Sequence, residues 1–169
     1  MFEYLCNTKS DINEHLPTLR DLASECESVV EMGVRYCVST WAFIEGLKPN
    51  TALVSIDIKH PSKYNGDLAA VEKACKNKGI TFKFYEASTL EIDIPEVDML
   101  FIDTDHTYAQ LKGELTRHGN KAKKYLVFHD TVSCETELMP AIEEFMKENK
   151  KWKIKAHYTN CNGVLVLER

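Results

Sequence analysis

The segment Trp152–Glu168, WKIKAHYTNCNGVLVLE, decides the fold. Two strand-like runs, Trp152–Tyr158 and Val164–Glu168, flank TNCNG. The Asn162-Gly163 pair suits a tight turn because both residues tolerate positive φ. The chain is therefore expected to close with two antiparallel strands and no helix between them. Working outward, short β-branched or apolar runs at Ser28–Val34, Leu53–Ile58, Thr81–Glu86, Val97–Asp103 and Lys124–Phe128 also read as strands. Most are continuously apolar, as expected for a parallel sheet covered on both faces.

Helical spacing fills most of the gaps. Leu16, Leu19, Leu22, Ala23 and Cys26 share a face before the first strand. Ser39 or Thr40 is placed to cap a short helix ending near Gly46. Asn65 is expected to cap the next, with Leu68, Val71, Ala74 and Cys75 inward and Gly79 as its stop. Tyr108, Leu111, Leu115 and His118 form another face, as do Ala141, Ile142, Phe145 and Met146, with Pro140 expected in a first turn. Only Ala87–Glu96, with Pro95 against a helix, separates the third and fourth strands. One crossover helix is thus missing. The expected fold class is α/β: a Rossmann-like three-layer α/β/α sandwich with a seven-stranded, mostly parallel sheet and an antiparallel terminal hairpin.

At 169 residues, 44% hydrophobic and 28% charged, the chain fits one domain spanning 1–169, with 1–12 as an N-terminal extension. No apolar run approaches the ~20 residues of a membrane helix. MFEYLCNTKSDINEH lacks the basic start and apolar stretch of a signal peptide, so a cytoplasmic location is expected. A formal net charge of −5 disfavours a protein that grips nucleic-acid phosphates. Six cysteines without C-x-x-C spacing read as reduced thiols. The lysines in 121–124 and 147–155 read as solvated helix ends. His15, His60, His118 and His157 have no partners at meaningful spacing and read as surface or filler residues.

Ligands of open α/β sheets bind at the carboxyl ends of the strands. Those ends carry Glu31 and Gly33; Asp57; Glu86 and Ser88; Asp103, Asp105 and His106; and His129 and Asp130. A row of this kind points to one shared ligand site. The first turn, VVEMGVRYCVST, lacks G-x-G-x-x-G, so a pyrophosphate cradle and a nucleotide-linked oxidoreductase are disfavoured. Asp57 follows Gly33 by 24 positions, near the offset of a carboxylate that accepts from ribose hydroxyls. Asp103 and Asp105, two apart in an extended chain, point the same way. With Asp130 they offer three oxygen donors suited to Mg²⁺, Ca²⁺ or Mn²⁺. The structural alternative for Asp105 is a helix cap.

Glu31-x-Gly33, Asp57 and FYEAS after the third strand together resemble the cofactor half of class I S-adenosylmethionine-dependent methyltransferases. LFIDTDHTYAQLKGEL (Leu100–Leu115) and FHDT (Phe128–Thr131) resemble the I-D-G-D-H-x-Y and H-D-T motifs of a subgroup related to metal-dependent sugar O-methyltransferases. Thr104 replaces the usual glycine, and Val34, Tyr36 and Cys37 stand where further glycines follow Gly33. The resemblance implies S-adenosylmethionine bound by Glu31, Gly33, Ser39, Asp57, Ala87, Ser88 and Asp103. It implies Mg²⁺ or another divalent cation on Asp103 and Asp130, with His129 either a third ligand or a base. Asp105 is the implied general base, with His106 beside it as a catalytic candidate. The implied reaction is O-methylation of a small hydroxylated acceptor, a sugar or other metabolite. The alternative is a non-catalytic S-adenosylmethionine or nucleoside-binding protein. Neither nucleic acid nor membrane is an expected partner, and a homo-oligomer is left open.

Overall fold

The computed structural model describes residues 1–169. Seven strands form one sheet: β1 (Ser28–Met32), β2 (Ala52–Asp57), β3 (Thr81–Glu86), β4 (Val97–Ile102), β5 (Ala122–His129), β6 (Lys153–Tyr158) and β7 (Val164–Glu168). Their order across the sheet is β3-β2-β1-β4-β5-β7-β6. β1 to β5 run parallel, and β7 inserts antiparallel between β5 and β6. The hairpin expected from Asn162-Gly163 is present. Its tip carries three successive left-handed residues, Cys161, Asn162 and Gly163, with φ of 45, 67 and 91°.

Six helices complete the layers: α1 (Phe2–Cys6), α2 (Leu16–Ser24), α3 (Val38–Gly46), α4 (Leu68–Lys78), α5 (Tyr108–His118) and α6 (Glu135–Glu148). The first four bury their apolar faces in a 25-residue cluster on one side of the sheet. The last two pack into a 19-residue cluster on the other. Residues 1–12, read as an extension, contribute Phe2 and Ile12 to the first cluster. The edge strands β3 and β6 are largely exposed, so burial on both faces holds for the central strands only. No helix is long and apolar enough to cross a membrane. All six cysteines are free thiols, and burial pushes Cys26 and Cys37 up to about 12.

Several local expectations change. The cap of α4 is Asp67, whose carboxylate accepts from the Ala70 N–H, while Asn65 is left-handed and ends the preceding 3₁₀ turn. Ser39 and Thr40 lie inside α3, where a buried carboxylate claims their hydroxyls. Pro140 sits in the second turn of α6, because the helix starts earlier, directly after the turn that follows β5. His15 and His118 are buried structural residues rather than filler. His15 Nε2 donates to the Asn160 carbonyl at 2.8 Å and thereby anchors the hairpin tip.

The missing crossover helix is replaced by a polar bracket. Thr89, in the short link after β3, donates its hydroxyl to buried Glu114 of α5 at 2.6 Å. His118 Nε2 donates to the Thr89 carbonyl at 2.7 Å, and Arg117 Nε to the Ile92 carbonyl at 2.9 Å. Lys121, Lys123 and Lys124 pair with Asp93, Glu96 and Asp98. These lysines hold the same link and the start of β4, rather than serving only as a solvated helix end.

Glu114 also accepts from Gln110 Nε2 at 2.9 Å and from the Thr104 hydroxyl at 3.0 Å. Glu114→Ala therefore leaves the Thr89 and Thr104 hydroxyls without an acceptor and Gln110 Nε2 with only the Thr89 oxygen. Chemical denaturation should show a loss of about 2–4 kcal/mol. A change within about 0.5 kcal/mol, the range of ordinary surface substitutions, contradicts the bracket.

Candidate active site

The site begins where β1 ends. Gly33 has φ +89°, and a Cβ built on it would stand 1.8 Å from the Asp103 carbonyl oxygen. Gly33 N–H donates to the Ile56 carbonyl, and Asp103 N–H donates to the Met32 carbonyl. The ends of β1, β2 and β4 are thus tied together with no room for a side chain. Beyond Gly33 the chain needs left-handed backbone twice more, at Arg35 (φ 42°) and Cys37 (φ 63°). Each costs a non-glycine residue roughly 1–2 kcal/mol.

Two acids hold this turn. Asp57 Oδ2 accepts from the N–H groups of Val34 at 2.8 Å and Arg35 at 3.0 Å, and Oδ1 accepts from Lys59 N–H at 2.9 Å. Glu31 lies beneath, fully buried. It accepts from the hydroxyls of Ser39, Thr40 and Ser55. Burial, only partly offset by these hydroxyls, pushes Glu31 up to about 7.

Over the turn lies a cavity of about 430 Å³. Of the expected cofactor residues, Gly33, Ser39, Asp57, Ala87, Ser88 and Asp103 line it. Glu31 does not; it supports the turn from inside the protein. Asp105 is on the cavity wall and His106 is not. Thr107, rather than Asp105, caps α5, its hydroxyl accepting from Gln110 N–H. The Asp105 carboxylate touches only the Thr107 hydroxyl, at 3.3 Å. Tyr108, at the start of α5, is tied to α6 through Glu137 and Glu144.

The cavity ends at a second group of side chains. His129 Nδ1 lies 3.0 Å from Asp130 Oδ2 and 3.3 Å from Asp103 Oδ1. His106 Nε2 lies 3.1 Å from each of the same two oxygens. Asp105 stays outside this group. Past Ile102 the strand gives way to a turn, closed by Thr107 N–H on the Asp105 carbonyl, so the two-residue alternation ends. Asp130 is left-handed (φ 59°), and its Oδ1 accepts from the Ser133 hydroxyl and from Asn162 Nδ2. Burial works against charge on Asp103, Asp130 and His129, but mutual attraction wins. The two carboxyls are held below their ordinary range and His129 well above its own. Asp103 also raises His106.

A divalent cation fits the donor set of Asp103, His129 and Asp130, whose ligand atoms all lie within 4.8 Å of one another. His129 Nε2 is committed to the Asp11 carbonyl at 3.0 Å, which can only accept. Buried Nδ1 makes no aligned hydrogen bond and faces the carboxylates.

Sequence reasoning missed Asp11, Tyr36, Tyr64 and Gln110, which also line the cavity. Asp11 lies in the segment read as an extension, where no local pattern marks it. Arg35 Nη1 meets its carboxylate at 3.4 Å across the mouth of the site.

No protein-family model and no curated protein matches this sequence. Solved structures do. An O-methyltransferase from Bacillus cereus in complex with SAH is 12% identical with TM-score 0.64, covering 92% of this chain and 81% of that one. A methyltransferase from Geobacter sulfurreducens is 14% identical with TM-score 0.67, covering 99% and 86%. An O-methyltransferase from Streptomyces achromogenes in complex with SAM is 13% identical with TM-score 0.64, covering 95% and 81%. The chain has the Rossmann-like methyltransferase fold.

Glu31 sets a pH dependence. Its folded-state pKa, about 7, exceeds the ordinary 4.5, so the folded chain keeps a proton that the unfolded chain releases. That contribution to stability is present at acid pH and is lost as pH rises from about 4.5 through 7. Glu31→Gln lacks it. In chelator, the Tm difference between variant and wild type should move in the variant's favour between about pH 5 and 7.5. A constant difference contradicts the assignment.

Proposed function

We propose that this protein transfers a methyl group from S-adenosylmethionine to the oxygen of a small hydroxylated acceptor, a sugar or other metabolite, with a divalent cation beside the acceptor. The observation that carries this reading is the continuity of one cavity from the Gly33 turn and Asp57 to Asp103 and Asp105, next to the His129–Asp130 group. The neighbours bound to SAH and SAM support the cofactor.

Asp57 receives the ribose hydroxyls: Oδ1 has a single N–H partner and keeps a lone pair for them. Gly33 admits the ligand to the backbone, while Ser39, Ala87, Ser88 and Asp103 complete the wall. Glu31 serves indirectly by fixing Ser39 and the turn. Asp103, His129 and Asp130 would hold the cation, which when bound lowers the pKa of a coordinated hydroxyl. In the reaction the methyl carbon leaves sulfur and bonds to the acceptor oxygen. The hydroxyl proton passes to Asp105, and the sulfonium becomes a neutral thioether. Asp105 suits the base because it lines the cavity with little protein contact, whereas His106 is engaged by two carboxylates. Most of the protein's work is in-line alignment of donor and acceptor.

Calorimetry should show binding of both S-adenosylmethionine and its demethylated product. Asp57→Ala should weaken binding about 10–100-fold. No binding by wild type at about millimolar ligand contradicts the cofactor assignment. Asp105→Asn should retain cofactor affinity and lose turnover by ~10²–10⁴-fold. Cofactor binding without methylation across a panel of hydroxylated acceptors supports the non-catalytic alternative instead.

A further inference from the structure

The group beside the cavity is richer in nitrogen than an oxygen-donor cation site. Four side chains alternate around it. His106 Nε2 and His129 Nδ1 each approach both Asp103 Oδ1 and Asp130 Oδ2, at 3.0–3.3 Å. Each reaches the site from a different local setting: Asp103 from the end of β4, His106 from the turn before α5, His129 from the end of β5, and Asp130 through its left-handed backbone. The half-buried Cys134 thiol lies within 4.8 Å of the His106 and Asp130 ligand atoms.

His129 gives the independent sign of a ligand. Its side chain is 1% exposed. The Asp11 carbonyl requires the proton on Nε2, so the neutral ring presents the Nδ1 lone pair to two carboxylate oxygens. No hydrogen-bonding group stands in line with that nitrogen. A lone pair facing two anions is repulsive unless a proton or a metal cation lies between them, and a proton on Nδ1 would find neither oxygen in line for a hydrogen bond. The nitrogen-to-oxygen gaps are slightly below the ~3.4 Å edge of a tetrahedron with metal–ligand bonds of about 2.0–2.1 Å.

We infer that Asp103, His106, His129 and Asp130 form a two-histidine, two-carboxylate centre that selects a borderline transition-metal ion, such as Zn²⁺, Fe²⁺ or Co²⁺, over Mg²⁺ and Ca²⁺. Imidazole nitrogen suits those ions, whereas Mg²⁺ and Ca²⁺ prefer oxygen donors and Mg²⁺ retains several waters. Three carboxylates would have favoured the hard ions. The structure leaves Asp105 out and brings in two imidazoles. The inference rests on the cation site of the proposed function, but not on methyl transfer.

The test uses the full chain, stripped with chelator and free of cofactor and acceptor. Zn²⁺, Co²⁺, Mg²⁺ and Ca²⁺ are titrated separately by calorimetry and thermal shift, and Co²⁺ also by visible absorption. Zn²⁺ and Co²⁺ should bind one per chain, at least about a hundredfold tighter than Mg²⁺, with Co²⁺ giving the intense visible bands of a four-coordinate site. His106 is partly exposed, so His106→Gln should fold. It should weaken Co²⁺ binding by at least about tenfold and diminish those bands. Mg²⁺ binding as tightly as Zn²⁺, no binding of any ion, or an unchanged Co²⁺ affinity in His106→Gln overturns the inference. Titration of the demethylated cofactor into the same stripped sample reports separately on the methyltransferase reading, so the two fail independently.

Discussion

No side chain fits between Gly33 and the carbonyl of Asp103, and the site depends on that contact. It draws the ends of β1, β2 and β4 to one point and leaves a backbone floor on which a ligand can lie. The same crossing turns the Asp103 side chain toward the end of β5. Asp57 and Glu31 then hold a turn whose later left-handed positions, Arg35 and Cys37, lack glycine's freedom. Carboxylate hydrogen bonds offset a backbone cost that further glycines would have avoided.

The peripheral parts of the chain converge on this centre. The terminal hairpin does more than complete the sheet. Its Asn162 amide donates to Asp130, and the Asn162 carbonyl accepts from the Val132 and Ser133 N–H groups. The N-terminal segment fixes His129 through the Asp11 carbonyl and supplies two residues of the cavity wall. The short link after β3 carries Ala87, Ser88 and Thr89 to the cavity without a helix of its own, because α5 holds it with Glu114 and His118. The trimmed fold therefore retains the position of a site wall while losing the crossover helix between β3 and β4.

Much of this was legible in the sequence, for physical reasons. Strand limits at Thr81–Glu86 and Val164–Glu168 match: Gly79 stops the helix just ahead of the first run, and Asn162-Gly163 directly precedes the second. The strand-end rule collected Gly33, Asp57, Ser88, Asp103 and Asp105 of the cavity wall, since polar groups at the ends of a buried sheet face the same crevice. What escaped depends on tertiary contact. Nothing local shows that Ser39 and Thr40 turn inward to a buried glutamate, that Asp67 displaces Asn65 as a cap, or that His15 holds a loop 145 residues away. Two-residue alternation of an extended chain puts Asp105 beside Asp103 among the cation donors, but the strand ends one residue before Asp103 and the alternation stops there. His106 was read as a catalytic candidate from the resemblance alone; its two carboxylate partners come from different strand ends.

On the proposed function, the cavity above Gly33 and Asp57 is a cofactor site opening onto the Asp103–Asp130 group. A crystal structure of the chain with S-adenosylhomocysteine tests it most directly. Ribose density is expected at the Asp57 carboxylate, with the sulfur directed toward Asp103 and Asp105. Ligand density elsewhere on the surface, with the cavity above Gly33 left to solvent, would contradict it.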